Sequence, residues 1–506
     1  MEAANSSSEG EHAKDDTAAK AIATPYRYER DGAGTGMFRA AAVVSCQTVL
    51  VALHFHSTPA NPRIIMADHV IFLSVPGLRS QDLAQMPNLT RLVAGGDRTA
   101  LVPSFPAVTW PVQANLLTGK LPAEHGVIAN GFYWREKQEV EMWTAWNDKI
   151  TAPQIWDLLH QHDAGLTSAV WFPMLSKGAG ADYICMPAPI HNPDGSESLW
   201  CYTKPVELYG KLRDAFGHFP LMNFWGPLAN IKATAWIAES AGYAMREFRP
   251  NFFYIYLPHL DYAAQKSGPD SPAALQAVKD LDDVIGKLIA AASAGYPGQP
   301  ALWLIGSEYV ITPVDHVTYP NRTLREAGLL VVKNEGAGEL IDFAASRAWA
   351  LVDHQFSHVF VRGADPATIA QVKNLFQSAP GIAETLAGDE RAKYSLNHPR
   401  SGEVVLISTP NSWQAYYYWL DDAHAPKFAR TVDIHRKPGY DPVELHFDFA
   451  TKSIPLDATL IKGSHGAPAI TDAQRGVLLS SQRGVFVESP LADTDIAELL
   501  LNQFGI

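Results

Sequence analysis

A series of short, nearly continuous apolar runs, spaced by amphipathic segments, restricts the fold more than any other feature. The first, DHVIFLSV at residues 68–75, is ended by Pro76 and Gly77. A strand that is apolar on both faces must be covered on both, as happens in a parallel sheet flanked by helices. Comparable runs follow at 168–172, 252–257, 301–305, 359–361 and 404–408. Between them, residues 153–160, 273–292 and 367–377 place apolar side chains at three- and four-residue spacing, which predicts helices. The alternation predicts an α/β fold with a mainly parallel central sheet flanked by helices. Ligands of such sheets bind where loops leave the carboxyl ends of the strands.

At 506 residues the chain has a length prior of roughly three domains. The pattern instead reads as one α/β domain over 67–506, with inserted cap segments near 182–225 and 393–456. The first insertion is rich in Pro, Gly, His and aromatics; the second carries Trp413, Tyr416, Tyr417, Tyr418 and Trp419, expected as an aromatic core. Residues 1–66 read as a disordered or targeting extension. The apolar stretch at 40–53 is too short for a spanning helix, which needs about 20 residues. It would resemble a short secretory signal only if translation began at Met37. The expected localisation is cytoplasmic or soluble, with secretion or an organelle, reached through the N-terminal extension, as the alternative. Cys46, Cys185 and Cys201 are too few for a disulfide framework and are expected as reduced thiols. With 40 basic against 53 acidic residues, the net charge of −13 argues against a broad face for a nucleic-acid polymer.

The segment 103–119, PSFPAVTWPVQANLLTG, places two prolines before Thr109 and one two residues after it. Proline suits a first helical turn, so Thr109 is expected at or near a helix N-cap, where backbone N–H groups and the helix dipole favour an anion. Residues 121–132, LPAEHGVIANGF, follow. Together these segments resemble the nucleotide pyrophosphatase/phosphodiesterase branch of the alkaline phosphatase superfamily. The resemblance implies an alkaline-phosphatase-like fold. It also implies Thr109 as a nucleophile forming a phospho-threonine intermediate, and Asn130 as donor to the phosphoryl oxygen.

Elsewhere the resemblance weakens. The family's metal-binding Asp after the first strand is Pro76 here; its D-x-x-x-H becomes Asp261 and Gln265; its S-D-H-G becomes Ser307, Glu308 and Tyr309; its last histidine is His465. Asp261, Glu308 and His465 are thus the residual metal set. One divalent ion (zinc, or the harder magnesium or manganese) is expected rather than two. Without a metal, Thr109 needs a neighbouring general base, for which Glu308 and His259 are the candidates. His259, read on a strand end two residues before Asp261, is expected to share its face. His259, Gln265, Tyr309 and His435 are the candidate substitute ligands or substrate contacts.

Arg436 and Lys437 are candidates for holding negative charge. His354 and His358 have a spacing that suits a metal on a helix, yet 349–352 and 359–361 read as strands. The implied function is phosphoester hydrolysis of a small phosphorylated substrate, a phosphodiester or nucleotide pyrophosphate. The alternatives are a repurposed member that binds an anionic ligand and a related phosphonate or sulfate hydrolase.

Overall fold

A computed structural model describes residues 67–506 apart from 192–196, 335, 337 and 488. The expectations for residues 1–66 and for Cys46 lie outside the described residues. The first apolar run forms β1 (Val70–Ser74), buried throughout. Six strands follow: β2 (Arg98–Val102), β3 (Ser168–Trp171), β4 (Tyr183–Pro187), β5 (Cys201–Lys204), β6 (Phe252–Tyr256) and β7 (Leu302–Gly306). A second group comprises β8 (Ala348–Asp353), β9 (Phe356–Val361), β10 (Ile382–Ala387) and β11 (Val404–Ser408). The chain then returns to the first group with β12 (Gly476–Ser480) and β13 (Leu491–Ala492). The first group is a nine-stranded sheet in the order β13-β2-β12-β7-β1-β6-β3-β4-β5. β7, β1, β6, β3 and β4 are successively parallel, while β12 and β5 run antiparallel to their inner neighbours.

The helices are α1 (Thr109–Thr118), α2 (Ile155–His162), α3 (Ile231–Phe248), α4 (His259–Ser267), α5 (Pro272–Gly295) and α6 (Pro366–Phe376). α5 and α6 begin as their sequences dictate. Ser271 and Asp365 accept from backbone N–H groups three residues on, and Pro272 and Pro366 occupy first-turn positions that need no N–H. α3 and α5 approach closely because Gly242 faces Ala291; a Cβ on Gly242 would lie 2.7 Å from the Ala291 Cβ.

Two readings of the chain change. The runs at 359–361 and 404–408 lie in a separate antiparallel sheet, β8-β9-β11-β10. Apolar composition signals coverage of both faces but not strand direction. His354 and Gln355 alone join β8 to β9, far too few residues for a parallel crossover. Within 182–225, β4 and β5 are the last two strands on one side of the central sheet, β5 at its edge, rather than a free insertion. Cys185 and Cys201 are buried free thiols on those strands. The aromatic run 413–419 packs in the core of the second sheet, with Trp413, Tyr416, Tyr417, Tyr418 and Trp419 buried.

Candidate active site around Thr109

Ser74 at the end of β1 is level with Gly306 of β7 and Tyr256 of β6. The segments that follow these three strands therefore meet at one end of the sheet. Val75 N donates to Gly306 O and Gly77 N to Tyr309 O, both at 2.9 Å, which fixes the 76–78 turn against 307–309.

α1 starts beside this cluster with all its residues buried. Thr109 is its first residue, and the N-cap is Val108, which has no side-chain acceptor. The cap comes from a distance: Asn130 Oδ1 accepts from Trp110 N at 2.9 Å. Thr109 is thereby relieved of capping, and its Oγ1 lies 3.1 Å from the Tyr309 phenol oxygen. Tyr309 stacks on His465, with ring centroids 3.6 Å apart and planes 4° from parallel. His465 Nδ1 donates to Ala107 O at 2.8 Å, which leaves the lone pair on Nε2. That nitrogen lies 3.9 Å from Asp261 Oδ1, and neither atom has a hydrogen-bond partner.

Glu308 Oε1 accepts from Ser74 Oγ at 2.6 Å and from Gln113 Nε2 at 2.8 Å, whereas Oε2 is buried without a partner. Burial pushes Glu308 up to about 8 and Asp261 up to about 7; hydrogen bonds from Ser74 and Gln113, and from Gln265, offset part of this. Burial also raises the Tyr309 phenol well above its ordinary value and drives His465 well below its own, so both are neutral near pH 7. Gln265 Oε1 accepts from Tyr440 Oη at 2.7 Å.

The remaining candidates fall elsewhere. His259 opens α4 rather than extending a strand, and positions two apart on a helix face about 200° away from each other. His259 and Asp261 therefore do not share a face. Burial lowers His259 to about 4, and the charge it feels is that of Asp280 on α5. His435 is an exposed loop residue whose Nδ1 meets Met142 O at 3.1 Å. Lys437 is no free cation: it is buried against Asp441 at 2.7 Å and Glu444 at 2.6 Å. Arg436 pairs with Asp433. Ser74, Gln113 and Tyr440, which the sequence reading did not name as site residues, enter the cluster as hydrogen-bond partners. Gln113 carried a signal, since it lies one helical turn after Thr109.

The donor chemistry does not fit a two-ion centre. On one side Pro76 has no donor atom, Tyr309 offers a phenol where the family has an imidazole, and Glu308 Oε1 is taken up by Ser74 and Gln113. On the other side Asp261 Oδ1 and His465 Nε2 are well placed as a pair, but the Gln265 oxygen is committed to Tyr440. A catalytic zinc site uses three protein ligands, so Asp261 and His465 alone fall short for a single zinc. Among the described residues, no group of three or more His, Cys, Asp or Glu side chains is placed to hold a metal.

The fold, a large and mostly parallel central sheet flanked by helices, is alkaline-phosphatase-like. Residues 70–441 match the type I phosphodiesterase/nucleotide pyrophosphatase family, and the chain belongs to that family of phosphoester hydrolases. A pyrophosphatase/phosphodiesterase of Schizosaccharomyces pombe, described as uncharacterized, is 28% identical over 232 residues. That match spans 45% of this chain and 42% of the yeast protein. Phosphonoacetate hydrolase from Sinorhizobium meliloti, solved with phosphonoformate, shares the fold with a TM-score of 0.55 at 17% identity, over 87% of this chain and 96% of that one. Murine ectonucleotide pyrophosphatase/phosphodiesterase 5 does so with a TM-score of 0.55 at 15% identity, over 87% and 95%. No helix among the described residues is long and apolar enough to cross a membrane.

Proposed function

We propose that this chain hydrolyses a phosphodiester through Thr109, without the two metal ions whose ligands the family resemblance implies. The observation that carries the reading is the pairing of a buried Thr109 hydroxyl, at the first residue of α1, with the Tyr309 phenol. In the first turn of α1 the Trp110 N–H is taken by Asn130, Pro111 has none and the Val112 N–H bonds Val108 O. This leaves the Thr109 N–H and the positive end of the helix dipole for a phosphoryl group. As the Thr109 oxygen attacks phosphorus, its proton passes first to the Tyr309 oxygen. Asp261 Oδ1 and His465 Nε2, buried in the same cluster and without hydrogen-bond partners, are the groups we assign to receive the proton from Tyr309 once substrate draws the site together. Asn130 has two N–H groups; one is used internally, and the other stabilises the phosphoryl oxygen. As the Thr109 oxygen bonds to phosphorus, the phosphorus–oxygen bond to one alcohol breaks, and that alcohol leaves with the relayed proton. Water then attacks the phospho-threonine, its phosphorus–Thr109 bond breaks, and the Thr109 oxygen takes back a proton from that water.

The same site argues for the substrate's charge. None of the hydrogen bonds or ion pairs of Thr109, Asn130, Asp261, Glu308 and His465 among the described residues involves an Arg or Lys. A monoanionic diester is therefore better accommodated than a dianionic monoester or a nucleotide pyrophosphate carrying several charges. Initial rates on bis(p-nitrophenyl) phosphate and p-nitrophenyl phosphate, for wild type and Thr109→Ala, test this. Thr109-dependent turnover that favours the diester supports it. No Thr109-dependent turnover of diesters, monoesters or phosphonates would leave an anion-binding pocket instead.

A further inference from the structure

The β8–β9 hairpin belongs to the second sheet, yet its tip reaches the Thr109 centre. Asp353, the last residue of β8, is completely buried. Its Oδ2 accepts from the backbone N of Asn130 at 2.7 Å and its Oδ1 from Asn130 Nδ2 at 3.1 Å. Asn130 Oδ1 in turn accepts from Trp110 N, next to Thr109. Behind Asp353, His354 Nδ1 meets Oδ1 at 2.5 Å. The His354 ring is clamped between Tyr440 and His465, with centroid separations of 3.6 and 3.9 Å. Its φ of +57° is uncommon for a residue with a side chain. Gly466 lets the hairpin dock: its φ is +110°, and a Cβ there would lie 3.1 Å from Val108 Cγ1 and 3.3 Å from His354 Cβ.

We propose that Asp353, backed by His354, is the positioning residue for Asn130, fixing which end of the Asn130 amide faces the phosphoryl group. An amide has nearly the same shape when rotated by half a turn, so only its partners decide its direction. Rotation here would set the NH₂ group against the Trp110 N–H and the amide oxygen against the Asp353 carboxylate. Both contacts would be like against like. The observed orientation spends the Asn130 oxygen on α1 and one N–H on Asp353, and it reserves the other N–H for the substrate. The second sheet thereby supplies part of the catalytic geometry, not only a cover.

This inference rests on the Thr109 reading, and a double-mutant cycle separates the two. The full chain is assayed on bis(p-nitrophenyl) phosphate as wild type, Asp353→Asn, Asn130→Ala and the double variant, with melting curves for each. Asp353→Asn is expected to lower kcat about tenfold or more with KM held within about twofold. Beside Asn130→Ala it should cost nothing further. A loss of the same size in both backgrounds, or no loss at all, overturns the proposal. If Asp353→Asn does not show a cooperative melting transition, His354→Gln carries the same test. A kcat loss that vanishes beside Asn130→Ala supports the proposal, and one that persists, or no loss, overturns it. Turnover unaffected by Thr109→Ala sinks the Thr109 reading, whereas Thr109-dependent turnover indifferent to both hairpin variants sinks this inference alone.

Discussion

Thr109 Oγ1 and the Tyr309 phenol oxygen lie 3.1 Å apart, and the Tyr309 ring lies flat on His465. The family resemblance places a metal-binding histidine where Tyr309 stands. The phenol therefore sets a hydroxyl against Thr109 where the family has that imidazole. Tyr309→Phe keeps the stacked ring and removes only the hydroxyl. It should lower kcat on a diester about ten- to hundredfold while leaving the melting temperature nearly unchanged. An unaffected kcat would show that Tyr309 is only packing.

Elemental analysis addresses the metal directly. With Pro76, Gln265 and Tyr309 at positions of family ligands, purified protein should carry zinc and manganese well below one ion per chain. Dialysis against a chelator should leave its melting temperature unchanged. A tightly held ion would stabilise the fold by mass action, so a fall in melting temperature on chelation, restored by zinc, would refute the prediction.

Acid stability depends on buried neutral histidines. His125 is fully buried, with Nε2 2.8 Å from Asn115 Oδ1, and burial lowers it to about 3. The unfolded chain binds a proton there below about pH 6.5, while the folded chain stays neutral. Stability is therefore lost as pH falls from about 6.5 towards 3. Denaturant midpoints measured across this range should fall less steeply in His125→Gln than in wild type. Equal slopes would remove His125 from the explanation.

The ion cluster of Lys437, Asp441 and Glu444 is buried, and Trp225 Nε1 donates to Glu444 Oε2 at 2.6 Å. Removing the cation leaves two carboxylates together out of water. Lys437→Ala should destabilise the fold by about 3–5 kcal/mol in denaturant unfolding. A change below ~1 kcal/mol would mean that water reaches the cluster.

The sequence disclosed what is contiguous. β1 was legible because both its faces are apolar, and the helix start at Thr109 because prolines bracket it. It disclosed less where the chain meets itself from far away. Asp353 is 223 residues from Asn130 and Tyr440 is 175 from Gln265, and no local pattern announces such pairs. Direction was also hidden: the runs at 359–361 and 404–408 are as apolar as central strands but pair antiparallel in a second sheet. His259 misled because β6 ends at Tyr256 and a helix opens at His259 with Pro258 as its N-cap, turning its side chain away from Asp261.

The central claim is hydrolysis by Thr109 without the family's metal pair. Its most direct test is the initial rate on bis(p-nitrophenyl) phosphate in excess EDTA, for wild type and Thr109→Ala side by side. Wild type should keep its full rate in the chelator, and Thr109→Ala should be slower by at least about a thousandfold. A wild-type rate that collapses in EDTA and returns with zinc, or a Thr109→Ala rate equal to wild type, would contradict it.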